Sequence, residues 1–490
     1  MKRKDAPAKE RPSPKKRRPD IPDYHVTPTV KDTDGRDIWP APLDQINRAR
    51  DTIRACAAAG KRTIICPDKD ADGLGSGVIL HHTLRILGLS PDLISVHLLD
   101  KGNNVHCESE RARLASQSPS YLFVLDHGSR SSPPLVSSPD CTTLIIDHHH
   151  SDPTSFPQAS SFVTACHSPP VATTSLLTYH LCCPLHPTIP SDLSWHCIVG
   201  THGDLGTTLK WSPPFPDMSG PLKLYTKKAI NDAVSLLNAP RRTATFDVIT
   251  AWSALLSAEH PKDILTNRRL LAARAEVNDE IERCTHTAPK FSADGKVAVF
   301  RIRSRAQVHP VIATRWAGHL NSKALEIVLV ANEGYLDGKV NFSCRVARCA
   351  RGRGDEVDII RALRGYAGLD NGEGKEEQEE QEEEQQQQQQ EEEKVKVTEE
   401  KKKKKKRLPL LERLGDDFAR GHVQASGGIV SQDEFEELML LMRVGEKTEA
   451  QKKKDEERAN ASPTKGRKTI DKAQTNTLMG YFGKKKEAVS

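Results

Sequence analysis

Aspartate side chains near the start of the folded region are spaced in a way that suits cation binding. Asp68, Asp70 and Asp72 alternate within the segment Asp68-Lys69-Asp70-Ala71-Asp72-Gly73. In extended backbone Asp68 and Asp70 point to the same side. Two carboxylates held so close raise each other's pKa unless a cation neutralises them. Asp72 and Gly73 are typical of a turn into a helix.

Three further groups of acidic and imidazole side chains follow: Asp126-His127-Gly128, Asp147-His148-His149-His150 and Gly203-Asp204. Each comes directly after an apolar stretch, which predicts that all four groups lie at strand ends. Ligands of open α/β sheets collect at the carboxyl ends of the strands, so we expect the four groups to converge. Aspartate oxygen combined with imidazole nitrogen suits manganese best, with magnesium and zinc as alternatives.

Each group alone has a simpler explanation. An isolated Asp-x-Asp is commonly a loop or a helix cap, and a histidine cluster is commonly solvated surface. The first segment also resembles the start of a calcium loop, but the twelfth position, where such a loop has glutamate, is Ile79.

The elements that must position these groups can be predicted from apolar patterning. Short apolar runs predict strands at Thr63 to Cys66, Ile94 to Leu98, Tyr121 to Leu125 and Thr143 to Ile146, and Leu74 to Leu87 has helical spacing. Strands that alternate with helices predict an α/β domain with a mostly parallel sheet.

Composition divides the chain into five parts. These are a disordered basic tail (1–41), the α/β domain (42–212), a helical bridge with a long polar helix at 262–284 (213–292), a smaller mixed α/β domain (293–445) and a second disordered tail (446–490). The smaller domain contains a Glu/Gln/Lys-rich insertion at 372–407, which cannot bury enough apolar surface to offset its chain entropy.

The order of the four acidic motifs resembles that of the DHH phosphoesterase superfamily, and in particular its RecJ-like single-strand exonuclease branch. Gly200-Thr201-His202-Gly203-Asp204 is similar to the fourth motif, and Ala172-Thr173-Thr174 to the helix start that follows the DHH motif. The resemblance covers about residues 61–205. One departure concerns a metal-binding histidine that many relatives have shortly before the first aspartate, where this chain has Ile64, Ile65 and Cys66.

Two segments of the smaller domain resemble the signatures of the DHH-associated substrate-binding domain. They are Asn341-Phe342-Ser343-Cys344-Arg345 and the glycine-rich stretch from Gly421 to Gly428. Glycines let backbone N–H groups approach an anion, and a guanidinium matches phosphate in a bidentate way. The resemblance implies a set of phosphate-binding residues: Arg345, Gly421, His422, Ser426, Gly427 and Gly428.

The resemblance also implies roles for the acidic motifs. Two Mn²⁺ or Mg²⁺ ions would be held by Asp68, Asp70, Asp126, His148 and Asp204, with Asp126 as the bridge. Asp72 is either a further ligand or only a turn residue. His149 and Asp147 would lie beside the ions as catalytic groups that hydrogen-bond the scissile phosphate or orient a ligand.

Charge and cysteine usage indicate the compartment. The net charge is only +6, but two basic blocks, at residues 2–4 and 15–18, resemble a bipartite nuclear localisation signal read by importin. The alternative is a solvated tail that touches nucleic acid nonspecifically. The eleven cysteines show no paired metal or disulfide spacing, which predicts free thiols in a reducing compartment. No apolar run has the length of a membrane span, so we expect a soluble, intracellular and nuclear protein.

The segment 475–482 near the chain's end carries Leu478, Tyr481 and Phe482 on one side of a single helical turn. It resembles the peptide box that docks on the replication sliding clamp, although Thr475 stands where that box usually has glutamine. The alternative is an amphipathic helix that packs on its own domain.

Three functions are compatible with these motifs. The first is a nuclear single-strand exonuclease in DNA repair or replication, for which the substrate is single-stranded nucleic acid, DNA favoured. The second is a phosphoesterase for short oligonucleotides, cyclic dinucleotides or polyphosphate. The third is a catalytically inactive replication scaffold derived from the same superfamily, against which the complete acidic set argues.

Overall fold

The computed structural model describes residue 25 and residues 27–152, 154–351, 353, 357–369, 409–415 and 418–447. The two basic blocks, the insertion at 372–407 and the segment 475–482 lie outside the described residues. Two separate sheets with helices make up the described part, which confirms an α/β domain joined to a second, mixed α/β domain.

The sheet of the first domain is parallel throughout, with the strand order β2-β1-β3-β4-β5. All four predicted strands are present, and a fifth was not predicted because its Ser-Ser start and partly exposed residues do not form an apolar run. The strands are β1 Thr63–Pro67, β2 Ile94–Val96, β3 Tyr121–Leu125, β4 Thr142–Asp147 and β5 Ser160–Thr164.

Six helices accompany this sheet: α1 Leu43–Ala59, α2 Ala71–Ile86, α3 Glu108–Ser116, α4 Thr174–Cys182, α5 Ile189–Asp192 and α6 Ser194–Leu205. Helix α2 packs against both α4 and α6. Its approach to α6 is close, because a Cβ at Gly75 would lie 3.4 Å from the Cα of Gly200. The approach of α6 to α4 is closer still, because a Cβ at Gly200 would lie only 1.9 Å from Ser175 Oγ. Side chains larger than glycine would force these helices apart.

The helices that follow the first domain share its core. They are α7 Ser219–Tyr225, α8 Lys227–Leu237, α9 Val248–Ser257, α10 Pro261–Leu265 and α11 Arg268–Thr285. Ile230, Trp252 and Leu270 belong to the same apolar cluster as the residues beneath the parallel sheet. The single long helix predicted at 262–284 was wrong, because Asn267 interrupts it and caps α11 by accepting hydrogen bonds from the amides of Arg269 and Leu270.

The second domain is a mixed sheet with the order β10-β11-β9-β8-β7-β6. Its strands are β6 Lys290–Phe291, β7 Val297–Ile302, β8 Ile327–Leu336, β9 Lys339–Val346, β10 Arg420–His422 and β11 Ala425–Ser431. Its helices are α12 His309–His319, α13 Ile359–Ala367, α14 Leu410–Arg413 and α15 Gln432–Leu441. Phe300 and Phe435 are fully buried in a core of its own.

Part of the segment predicted to be a basic tail packs on the first domain. The indole nitrogen of Trp39 donates to the carbonyl of Pro170 at 2.9 Å, and Ala41 is buried. His25 is buried as well. The folded part of the chain therefore begins before residue 42, because Trp39 and Ala41 pack with the core of the first domain.

The cysteines and the helices bear on two expectations from the sequence. All eleven cysteines are free thiols, as predicted. Within the described ranges, every helix is too short or too polar to pass through a lipid bilayer.

Candidate metal centre

Three of the predicted acidic residues lie at neighbouring strand ends. Asp68 follows β1, Asp126 follows β3 and Asp147 is the last residue of β4, and these three strands are adjacent in the sheet. Asp126 adopts a positive φ of 67°, which is uncommon for a residue with a side chain but tolerated best by Asn and Asp. Its amide donates to the carbonyl of Ile146, so the chain turns while it is still attached to the sheet.

The predicted ligands converge on one cluster. His148 Nε2 lies 3.3 Å from Asp126 Oδ1 and 3.2 Å from Asp204 Oδ2. Three overlapping sets offer ligand atoms that lie within 4.8 Å of one another: Asp68 with Asp70 and Asp126, Asp126 with His148 and His149, and Asp72 with His148 and Asp204. Asp126 connects the first set to the second, which is the position that a bridging ligand requires.

Asp204 reaches this cluster from a helix and not from a strand end. The prediction that the fourth acidic group follows a strand was therefore wrong. It lies in the last turn of α6. The preceding apolar stretch resembles a buried strand in sequence, because α6 is buried on nearly all sides between α2, α4 and α8. Periodicity cannot separate a buried strand from a fully buried helix.

Asp70 and Asp72 have different local roles. Asp70 caps α2, since its Oδ1 accepts from the amides of Asp72 at 3.1 Å and Gly73 at 3.2 Å. Asp72 instead binds the start of α4, where its two oxygens accept from the amides of Thr174 at 2.8 Å and Ser175 at 2.9 Å. The turn into α2 is thus made by Asp70, and Asp72 joins two helices while its Oδ2 lies 4.0 Å from His148 Nε2.

Asp147 is fully buried and organises the histidines. Its Oδ1 accepts from the amide of His148 at 2.8 Å and from Nδ1 of His149 at 2.9 Å, and its Oδ2 accepts from Ser129 Oγ at 2.7 Å. The charge and hydrogen bond of His149 hold the pKa of Asp147 below its ordinary value despite burial. Asp147 is therefore a positioning residue, and His149, whose side chain is half exposed, presents its other nitrogen to solvent.

The electrostatics of the cluster favour a cation. Burial, followed by the charge of Asp72, raises the pKa of Asp126 well above its ordinary value, and burial with Asp204 raises the pKa of Asp72 to about 6. Burial would lower the pKa of His148, but Asp126 and Asp204 raise it well above the usual range. The excess of negative charge in a buried site is the condition that bound metal ions relieve.

The donor set fits a divalent metal in a second respect. His148 is buried, and neither of its ring nitrogens makes a hydrogen bond of acceptable geometry to the described part of the chain. An imidazole nitrogen without such a partner inside a ring of carboxylates is available to bind a metal ion. Oxygen from four aspartates with imidazole nitrogen suits Mn²⁺ or Mg²⁺.

Two cationic side chains lie on the Asp68 and Asp70 side of the cluster. Lys69 Nζ is 3.1 Å from Asp68 Oδ1, and Arg241 Nη2 is 3.7 Å from Asp70 Oδ2. Arg241 comes from the 3₁₀ turn Pro240–Arg242 after α8 and was not predicted. No motif marks it in the sequence, since its place depends on how the bridging helices pack.

Cys66 lies in β1, two residues before Asp68. It is fully buried, and burial raises the pKa of its thiol. His127 lies beside it, with Nε2 2.9 Å from the Cys66 carbonyl oxygen and 3.8 Å from its sulfur. His127 is thus tied to β1 from the end of β3.

The predicted phosphate-binding residues of the second domain are brought together in its sheet. Arg345 in β9 pairs with Ala425 in β11, and Gly421 in β10 pairs with Ser426. The glycine-rich stretch is largely strand, because Ser426, Gly427 and Gly428 belong to β11. A Cβ at Gly427 would lie 2.5 Å from the carbonyl oxygen of Phe342, so glycine permits the strands to approach. His422 lies in β10, and its side chain is outside the described part.

Basic and aromatic groups connect Arg345 to the metal cluster. Burial, together with the charge of Arg345, lowers the pKa of His309 to about 3, and the His309 ring is 6.2 Å from that of Tyr335. Lys101 of the first domain places its Nζ 4.2 Å from the centre of the Tyr335 ring. The charge of Arg241, the neighbour of Asp70, also acts on Tyr335.

Comparison with known proteins places this geometry in context. Residues 62–199 match the family model described as DHH family, N-terminal domain. No curated protein matches the chain.

Three solved structures are similar. RecJ in complex with Mn²⁺ from Thermus thermophilus is 15% identical with a TM-score of 0.51, over 83% of this chain and 55% of that one. Exonuclease RecJ bound to manganese is 15% identical with a TM-score of 0.50, over 82% and 94%. The DHH domain of a member of a ribosomal protein family is 11% identical with a TM-score of 0.53, over 82% and 90%. The chain spans little more than half of the Thermus chain, and at these identities the similarity is one of fold.

Proposed function

We propose, on the premise that residues 62–199 form a DHH-family N-terminal domain, that the chain is a divalent-metal-dependent phosphodiesterase acting on single-stranded nucleic acid. The observation that carries the proposal is the convergence of Asp68, Asp70, Asp126, His148 and Asp204, from a sheet edge and a separate helix, on one cluster. Two of the similar structures hold manganese, which supports Mn²⁺ as the first ion to test.

The residues of the cluster would divide the work of hydrolysis. When bound, the metal ions supply an activated water and stabilise charge on the phosphate oxygens. Asp126 and His148 would hold the ions, and Asp147 fixes the orientation of His149 through Nδ1. The His149 side chain is half exposed, so it can hydrogen-bond a phosphate oxygen of a bound substrate. Lys69 and Arg241 supply positive charge beside Asp68 and Asp70.

The surroundings of His106 support a substrate with several phosphates. Burial, followed by the charge of Arg130 from the first domain, lowers the pKa of His106 to about 4, and Arg420 from the second domain acts in the same direction. Arg130 and Arg420 therefore place positive charge from both domains near the same histidine. A nucleic-acid strand carries a phosphate at every nucleotide, and positive charge of this kind suits it.

The direct test uses the full chain with end-labelled single strands, duplexes and dinucleotides, each with Mn²⁺ or Mg²⁺. We expect release of mononucleotides from long single strands, with DNA cleaved faster than RNA, and loss of that activity in Asp126→Asn. Cleavage of dinucleotides alone would replace this substrate with a small phosphodiester. Absence of metal-dependent turnover on any substrate would refute the enzyme and support the inactive scaffold.

We further propose that the protein acts in the nucleus, in DNA repair or replication. The basic blocks at 2–4 and 15–18 support import through importin, and Leu478, Tyr481 and Phe482 support docking on a sliding clamp. A fluorescent fusion in which both blocks are changed to alanine should leave the nucleus. A labelled peptide of residues 473–488 should bind the clamp, and binding that survives alanine at Tyr481 and Phe482 would contradict the docking motif.

A further inference from the structure

The loop between β2 and α3, residues 97–107, reaches from the first domain to the second. Lys101 Nζ donates to the carbonyl of Arg305 at 2.9 Å, and the same nitrogen lies 4.2 Å from the centre of the Tyr335 ring. Lys101 Nζ is also 3.4 Å from the carbonyl oxygen of Ala244, which belongs to the helical bridge. One side chain of the first domain therefore contacts both the bridge and the second domain.

Backbone packing in the same loop holds the end of β8. Gly102 has a positive φ of 86°, and a Cβ placed on it would lie 2.8 Å from Leu336 Cδ1. A larger residue would be strained there and would push the last residue of β8 away from the loop. At the other end of the loop, burial and the charge of Arg130 lower the pKa of His106, and Arg420 in β10 acts in the same direction. The loop thus meets the second domain at two of its strands.

A buried carboxylate fixes the shape of this loop. Glu110 in α3 is fully buried, and its Oε1 accepts from the amide of Asp100 at 2.9 Å and from Nδ2 of Asn103 at 2.8 Å. Its Oε2 accepts from Arg113 at 2.9 Å. The bonds to Asp100 and Asn103 lie on either side of Lys101. Lys101 is therefore carried by a loop whose conformation is determined within the first domain.

The carbonyl of Arg305 is fixed in turn within the second domain. Asn332 in β8 donates to the carbonyl of Ala306 at 2.9 Å and accepts from the amide of Ser304 at 2.9 Å. Strand β8 pairs with β9, which carries Arg345. A shift of the Arg305 carbonyl would therefore move the sheet, and the predicted phosphate-binding arginine with it.

The contact with the bridge lies close to the metal cluster. Ala244 follows the 3₁₀ turn that carries Arg241, whose Nη2 is 3.7 Å from Asp70 Oδ2. In the same turn the carbonyl of Arg242 accepts from the amide of Gln307 at 2.8 Å, which is a further contact between the bridge and the second domain. The hydrogen bond of Gln307 thus reports whether these segments stay together.

We propose that Lys101 is a positioning residue, which holds the sheet that carries Arg345 in a fixed place relative to the metal cluster. It acts through the two carbonyls and the Tyr335 ring, and not by touching the substrate. Without its ammonium group the second domain separates from the loop and the bridge, while each domain keeps its own core. The inference concerns the arrangement of the two domains, so it does not depend on the substrate of the proposed function.

The test measures hydrogen–deuterium exchange of the full chain, without metal or substrate. In Lys101→Met the amide of Gln307 should exchange about fivefold faster or more, because its bond across the junction opens more often. Peptides from β1 and β8 should exchange as they do in the wild type. Lys61→Met is the matched control, because Lys61 is exposed and lies just before β1. Unchanged exchange at Gln307, or faster exchange throughout both domains, would overturn the proposal.

Lys101→Arg gives a second readout that a purely structural role would not produce. A guanidinium can donate to both carbonyls and stack on the Tyr335 ring, so exchange at Gln307 should stay within about twofold of the wild type. Exchange as fast as in Lys101→Met would contradict the role of the cationic donor.

Strand binding separates positioning from direct contact. Lys101→Met should bind a labelled single strand more weakly than the wild type does, with Mn²⁺ affinity unchanged by calorimetry. Weaker strand binding combined with unchanged exchange at Gln307 would mean that Lys101 touches the strand itself, and would overturn the positioning role. A wild-type chain that binds no strand would refute the proposed substrate and leave the exchange result intact.

Discussion

His148 Nε2 lies 3.2 Å from Asp204 Oδ2, which joins a residue at the end of the parallel sheet to one in the last turn of α6. The contact exists because α6 packs closely on α2, with Gly75 against Gly200. The metal centre thus depends on helix packing as much as on the sheet edge. Changes that separate the two helices would open the centre without touching a ligand.

Replacing Asp126 with asparagine should have opposite effects on activity and on stability. Metal-dependent hydrolysis should fall by more than about a hundredfold, since the shared ligand of the ions is lost and metal ions contribute several kcal/mol to such reactions. The melting temperature of the metal-free protein should rise, because burial and neighbouring carboxylates raise the pKa of Asp126 and an ionised group there is unfavourable. Asparagine also tolerates the positive φ at this position.

Assays with and without EDTA, together with thermal melts, check this prediction. Asp92→Asn, at an exposed position, is the control for the loss of one carboxylate. A lower melting temperature for metal-free Asp126→Asn would mean that Asp126 stabilises the fold by itself. That outcome would count against a site built for cations.

Asp147→Asn should destabilise the protein, in contrast to the change at Asp126. An amide cannot accept at both atoms, so the hydrogen bonds to Ser129 or to the amide of His148 and the ring of His149 are lost. Hydrogen bonds to charged groups contribute about 1.5–3 kcal/mol each, and we expect a loss of about 2 kcal/mol or more in the free energy of unfolding. Urea denaturation measures it, with the exposed Asp140→Asn as control.

Asp147→Asn also tests whether Asp147 only orients His149 or itself binds a metal ion. Asp147 lies outside the three sets of ligand atoms among the described residues. Mn²⁺ should therefore still bind with unchanged stoichiometry, while the turnover number falls because His149 loses its fixed orientation. Loss of one bound ion would show that Asp147 is a ligand after all.

The sequence predicted the residues of this site better than their surroundings. Asp68, Asp126 and His148 could be placed together because parallel strands present their carboxyl ends at one edge. Asp204 was included by resemblance, but its helix was mistaken for a strand because α6 is buried on nearly all sides. The alternation of apolar and polar residues shows which side of an element faces solvent. A fully buried helix has no solvent side, so its sequence lacks the helical period.

His25 and Arg241 illustrate what sequence could not supply. The His25 ring centre lies 6.4 Å from that of His148, and Arg241 lies 3.7 Å from Asp70, but both positions result from tertiary packing that no sequence motif marks. The glycines near Gly427 indicated a loop because strands are depleted in glycine. The structure explains their presence by the carbonyl of Phe342, which leaves no room for a side chain in β11.

Arg241→Met should change metal binding and substrate binding in opposite directions. The guanidinium lies 3.7 Å from Asp70 Oδ2 and is well buried, so its removal eliminates a positive charge beside the ions. Mn²⁺ should bind more tightly, whereas the KM for single-stranded DNA should rise. The number of counterions released when DNA binds, read from the slope of log affinity against log salt concentration, should fall by about one.

Calorimetry with Mn²⁺ and binding to a labelled strand at several salt concentrations check the two parts. Arg269→Met is the control, because Arg269 is exposed and pairs with Asp247 away from the cluster. A parallel loss of both metal and DNA binding would indicate that Arg241 only supports the fold.

Buried histidines should make the metal-free protein sensitive to acid. Burial lowers the pKa of His81 to about 4 and that of His196 well below its ordinary value. The unfolded chain then binds more protons than the folded chain from about pH 6.5 down to the folded-state pKa values. The free energy of unfolding should therefore be fully present above about pH 6.5 and decline as the pH falls towards 4.

His196→Leu tests this contribution at one residue. Neither ring nitrogen of His196 has a hydrogen-bond partner in the described ranges, so leucine removes the protonation site without removing a hydrogen bond. Urea denaturation between pH 4.5 and 7.5 measures how the free energy of unfolding changes with pH. In His196→Leu this dependence should be weaker than in the wild type, by up to about 1.4 kcal/mol per pH unit. His286→Leu, at a side chain that is 73% exposed, shows the background of losing one histidine. Equal slopes for the wild type and His196→Leu would mean that His196 gains no proton on unfolding in this range, and its buried ring would then be accessible to water.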